Sequence, residues 1–123
     1  MRRVNSVGGY RIYPTSPQSA DVAAYAESVL GQFNDGMDRL HYHRELSPAE
    51  QQILSHARNG STIAVRYQVL LHRTSRLWNL ALAQQDLINH SIPIEINNAA
   101  ELAASLIACS EEWEQLKVLI NQS

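Results

Sequence analysis

The chain has little with which to carry out covalent or redox chemistry. Its 123 residues include a single cysteine, Cys109, so no disulfide can form within the chain. Cys109 falls at a core-like position of a helical pattern, which reads as an inert buried thiol rather than a nucleophile. GxSxG, the Walker loop, GxGxxG, HExxH and paired CxxC are all missing, so no catalytic triad, phosphate cradle or zinc framework is announced. The expectation is a protein without enzymatic activity or cofactor. Charge of one sign is lacking too: 10 basic residues against 12 acidic ones leave a net charge of −2, which gives no general pull toward nucleic acid or membrane. No run of about 18 apolar residues is present, so nothing is built to span a bilayer. Arg2 and Arg3 are followed by VNSVGGYRIY, which lacks the apolar stretch of a signal peptide, and a cytoplasmic location is expected.

What the chain does have is helical spacing. Apolar residues make up 45% of it, ordinary for one folded domain. Residues 1–15, with two adjacent glycines and Pro14, read as a flexible N-terminal arm, and 16–123 as a helical domain. Ser16-Pro17 or Ser19 can start a first helix, in which Val22, Tyr25, Ala26, Val29, Leu30, Phe33, Met37 and Leu40 keep the spacing of one buried stripe. Gly31 and Gly36 weaken it. Ser47, Pro48 and Glu50 form a capping box for a short second helix, which Asn59-Gly60 is expected to end. Ser61 or Thr62 then caps a third helix from about Ile63 to Asn89. Its apolar residues, among them Ile63, Tyr67, Leu70, Leu71, Leu77, Trp78, Ala81 and Ile88, cover more than one stripe, which predicts a central helix with neighbours on two sides. Pro93 lacks an amide hydrogen and must break the helix near Asn89 to Ser91. A fourth helix is expected after Asn98, with Glu101 three positions on and a heptad seam of Leu102, Leu106, Cys109, Trp113, Leu116 and Ile120. The fold class is all-α, a single-domain bundle of about four helices.

The candidate sites are few. His41 and His43 lie two residues apart, which on a helix sends them to different sides, so a polar helix end is preferred over a metal site. Arg66, Arg73 and Arg76 lie close to one face of the third helix, with Arg58 just before it. Such a stripe could contact RNA phosphates, but no base-stacking aromatics accompany it, and Glu111, Glu112 and Glu114 of the fourth helix can answer it. An RNA-binding regulator using these arginines is kept as an alternative. Trp113, in its seam, reads as core; Leu77 and Trp78 cannot both face the same neighbour, so one of them is free to line a groove.

Several of these pieces, in order, resemble the FlaF family of flagellar biosynthesis regulators of alphaproteobacteria. Arg76-Leu77-Trp78, thirteen intervening residues and then Ile92-Pro93-Ile94-Glu95-Ile96 are similar to the family's Arg-Leu-Trp element and its later Leu-Pro-x-Glu-Leu. AYAESV at 24–29 resembles its early Tyr-Ala-Glu element, and LSHARNGS at 54–61 its short helix with a glycine turn, so the likeness spans about residues 24–107. This chain is divergent: it has HRTS before the Arg-Leu-Trp element, NNAAELAASLI after the proline, an extra arm and a shortened last segment. The resemblance implies a cytoplasmic, non-catalytic protein that binds flagellin as an export chaperone. The groove expected for a flagellin helix is lined by Leu70, Leu77, Trp78, Ile92 and Ile96. LAQQDLINHSIPIEI followed by an alanine-rich helix also loosely resembles inner-rod subunits, which keeps another helical secretion-system component as a further alternative. Oligomeric state is left open, since a heptad seam closes equally well within one chain or between two.

Overall fold

The structure is a computed structural model that describes residues 19–122. The expected arm at 1–15, and Ser16-Pro17 as a helix start, lie outside the described residues. Four helices follow one another: α1 (Ser19–His43), α2 (Pro48–Ser55), α3 (Thr62–Asn89) and α4 (Ile96–Asn121). The fold is all-α.

Local chemistry explains most of the boundaries. Ser47 Oγ accepts from the Glu50 N–H at 3.1 Å while Glu50 Oε1 accepts from the Ser47 N–H at 2.8 Å, the reciprocal capping box, with Pro48 as first helical residue. Ser61 caps α3 by accepting from the Ala64 N–H. At the far end of α3 the chain turns at Ser91, whose φ of 58° is left-handed. The Ile92 N–H donates to Leu87 O at 2.9 Å and the Ser91 N–H to Ile88 O at 3.0 Å, a Schellman closure that satisfies the last carbonyls just before Pro93.

Two boundaries differ from expectation. α2 stops at Ser55 with His56 as its C-cap, so Gly60, at φ +84°, serves the turn that enters α3 rather than the end of α2. α4 begins at Ile96, with Glu95 as N-cap, rather than after Asn98. Ile96 is fully buried in a small second cluster with Ala26, Val29, Ile94 and Ala99, and keeping it there winds the helix three residues early. The Asn98 amide donates to the Glu95 carboxylate at 3.0 Å instead of acting as the cap.

The larger correction concerns which helix is central. α3 contributes only Leu70, Thr74 and Ala81 as buried residues, whereas α4 buries Ile96, Ala99, Ala103, Leu106, Cys109, Ser110, Trp113, Leu116 and Ile120. α1 packs along one side of α4, α3 along another, and α2 touches its C-terminal end. Small residues decide this, because Ala99, Ala103, Cys109 and Ser110 let neighbouring backbones approach α4 where the bulkier surface of α3 does not. The heptad seam of α4 is buried from Leu106 to Ile120, with Leu102 partly so. On α1, Ala26, Val29, Phe33, Met37 and Leu40 are buried as the stripe predicts, but Tyr25 is 47% exposed.

Gly36 is buried where α1 crosses α4, and its role there is steric. A Cβ at this position would lie 3.0 Å from Leu106 Cβ and 3.3 Å from the Ala103 carbonyl oxygen, neither of which can swing aside. At Gly31 a Cβ would meet nothing within 4 Å. Gly31→Ala is therefore expected to raise stability by about 0.5–1 kcal/mol through helix propensity alone. Gly36→Ala gains the same propensity yet lowers stability by about 1–3 kcal/mol from overpacking. Urea unfolding of the two variants checks the opposite signs.

Candidate functional site

Helices α2 and α3 both rest on α4, but they do not close against each other, and a groove of about 840 Å³ opens between them. One wall is α3 from Ala64 to Ser75, about 17 Å of helix at 1.5 Å per residue. The other wall is α2, through Gln51, Leu54 and Ser55, continued by the chain around Arg44–Leu46 that leaves α1. Trp113 of α4 and Thr74 form the floor. Leu46, Leu54, Tyr67 and Leu71 give the lining its apolar surface above the buried Trp113, and Arg44, Glu45, Gln51, Gln68 and Ser75 give it polar surface, so the groove is of mixed character.

The floor is rigid for a stated reason. Trp113 Nε1 donates to Thr74 Oγ1 at 2.7 Å, and since an indole nitrogen only donates, the hydroxyl must be the acceptor. The hydroxyl proton is then free to point at Cys109 Sγ, 3.3 Å away. Tyr67 meets the Trp113 ring edge-on, with centroids 6.0 Å apart. Burial pushes the Cys109 thiol pKa up, partly offset by its contact with Thr74, so the sulfur stays a protonated core group.

The α2 wall is tied to α4 rather than to α3. The second oxygen of Glu50, Oε2, accepts from Asn121 Nδ2 at 2.9 Å, so one buried carboxylate caps α2 and anchors it to the end of α4. The Ser47 amide holds the Glu50 carboxyl below the usual carboxylate range, against the opposing effect of burial and with help from Asn121.

The residues expected to line a groove take different places. Leu70 and Ile96 are 2% and 1% exposed, so they belong to the two core clusters and line nothing. Leu77 is half-buried against the main core. Trp78 stands over the end of α1, stacked on the His41 ring at 5.9 Å and covered by the Arg44 guanidinium 4.8 Å from its ring centre. Ile92 is exposed beyond α3. The five do not converge on one surface, because packing on α4 draws Leu70 and Ile96 into separate core clusters while Trp78 turns to the end of α1 and Ile92 lies past the end of α3.

The residues that do form the groove include Ala64, Gln68, Thr74 and Ser75, small or polar positions that hydrophobic spacing passes over. Thr74 carried a signal: it is a polar residue at the buried spacing of Leu70 and Ala81. Of the arginines, Arg73 is ion-paired with Glu112 of α4. Arg58, Arg66 and Arg76 make no ion pair among the described residues. His41 and His43 do separate, the first to Trp78 and the second to Glu114, 3.1 Å away. Among the described residues no three His, Cys, Asp or Glu side chains gather as a metal site, and no helix is long and apolar enough to cross a membrane. Comparison with protein-family models, curated proteins and solved structures finds no match to this chain.

Two outcomes follow from this geometry. Thr74→Val keeps the shape but strands the buried Trp113 N–H, and is expected to cost about 1–3 kcal/mol in chemical unfolding. Because the folded-state pKa of Glu50 is lowered, its contribution is present above the unfolded value of about 4.3 and is lost as pH falls through the folded value. Glu50→Gln should therefore lose about 1 kcal/mol at neutral pH and show a shallower acid limb than the parent when urea midpoints are compared between about pH 3 and pH 6.

Proposed function

We propose that this chain is a non-catalytic binding protein that receives an amphipathic helix of a protein cargo in the groove between α2 and α3, as an export chaperone does. The FlaF-like order of AYAESV, Arg76-Leu77-Trp78 and Ile92-Pro93-Ile94-Glu95-Ile96 points to flagellin as that cargo. The observation that carries the reading is the groove itself: a preformed cleft about 17 Å long, lined by both apolar and polar side chains, long enough for about three turns of a bound amphipathic helix. Tyr67, packed edge-on against a Trp113 ring that its hydrogen bond to Thr74 holds in place, would present the cargo with a surface that needs no reordering, which favours binding. A cargo helix laid there would bury the exposed side of Leu71 together with Leu54 and Tyr67. In this reading the protein works in the cytoplasm, where an export cargo is made, and Trp78 supports the groove through Arg44 rather than touching cargo.

The test is fluorescence anisotropy of labelled, purified flagellin titrated with the full chain. Saturable binding is expected, weakened at least about tenfold by Leu71→Asp at an unchanged melting temperature, since Leu71 is exposed and its replacement leaves the core intact. No binding of flagellin would remove flagellin as the cargo, and binding that ignores Leu71→Asp would remove the groove as its site.

A further inference from the structure

The side of α3 turned away from the groove is apolar as well, and nothing among the described residues covers it. More than half of the large exposed apolar side chains in this part of the chain belong to α3. At about 3.6 residues per turn, Val65, Val69, Leu80 and Leu87 share one face, with His72 and Arg76 between them. They are 49%, 50%, 56% and 36% exposed. Leu71, on the groove side, belongs to a different face, so the two surfaces are separate. In a water-soluble helix such positions are ordinarily polar, and a stripe of four at helical spacing is the seam of a helix–helix contact.

The charges beside this stripe say what can lie on it. α3 has no acidic residue before Asp86, while Arg76 lies within the stripe and Arg66 and Arg73 lie along its edge toward α4. Arg73 is occupied by Glu112, but Arg66 and Arg76 have no carboxylate partner among the described residues. A second copy of the chain fits poorly. In parallel register, overlaying the four apolar residues on those of a copy sets Arg76 against Arg76; in the antiparallel register that pairs Val65 with Leu87, Arg76 again meets Arg76, while Val69 and Leu80 face Ala83 and His72 rather than each other. That juxtaposition repels, whereas a carboxylate in its place attracts.

We propose that the outward face of α3 docks an amphipathic α-helix of a partner protein whose apolar seam is flanked by aspartate or glutamate, with Val65, Val69, Leu80 and Leu87 taking the seam and Arg66 and Arg76 taking the carboxylates. This surface is independent of the groove between α2 and α3, and its partner is recognised by charge as well as by apolar contact.

The experiment uses the full chain and two labelled synthetic helical peptides of about 21 residues, three heptads, with Leu at both seam positions and either Glu or Lys at the flanking positions. The Glu peptide is expected to bind, with affinity that falls as salt is added, and the Lys peptide to bind at least about tenfold more weakly. Arg76→Glu should invert that preference, Leu80→Asn should weaken the Glu peptide at least about tenfold, and Leu71→Asp in the groove should leave it unchanged, all at unchanged melting temperature. Equal binding of the two peptides, binding of neither, or loss of Glu-peptide binding on Leu71→Asp overturns the proposal. So does a dimer of the chain in light scattering that Leu80→Asn dissociates, since a second copy would then be the occupant.

Discussion

The close crossing of α1 over α4 at Gly36 is the contact on which the other placements depend. With no side chain at Gly36, the α1 backbone comes against Leu106 and Ala103, and the stripe from Val29 to Leu40 reaches the heptad seam of α4. That brings α4 to the middle of the molecule, covered by α1 on one side and α3 on another. Dispersion contacts fall off steeply with separation, so a crossing a few tenths of an ångström wider would loosen much of this interface.

Once α4 is central, the other two helices attach to it rather than to each other. Thr74 links α3 to α4 through Trp113 and Cys109, and Glu50 links α2 to α4 through Asn121. Each link is a buried polar group with its partner present, which fixes geometry more sharply than apolar burial alone. The groove between α2 and α3 is the space left by these two attachments, and the bare outward face of α3 is their second consequence. Both surfaces thus arise from one cause: α3 packs along its length on α4 and touches α1 only near Trp78.

For the proposed helix-binding role, this layout separates stability from recognition. The buried residues of α1 and α4 hold the fold, while Leu71 on the groove side and Leu80 on the outward side are half-exposed and contribute little to it. Positions of that kind can change with a partner at small cost to folding. The charge distribution has the same character. Excess acid is carried by α1 and α4, while α3 carries Arg66 and Arg76 without ion pairs among the described residues, so a net charge of −2 conceals a local basic face.

The amino-acid sequence by itself determined the all-α class, the four helices in order, the capping box at Ser47 and Glu50, the break before Pro93 and the seam from Leu106 to Ile120, because each rests on spacing and on backbone chemistry within a few residues. Tertiary structure decided which helix is central. Leu70 and Leu71 are equally apolar and adjacent, and only the position of α4 buries the first and leaves the second at the groove. Likewise Ile96 looks like a surface anchor in the sequence and becomes core because Val29 and Ala99 meet it. Trp78 found its partners in His41 and Arg44, more than thirty residues earlier in the chain. Hydrophobic periodicity states that a residue wants a neighbour, whereas the identity of that neighbour depends on how closely two backbones can approach, which small residues such as Gly36 and Ala103 settle only once the helices are laid together.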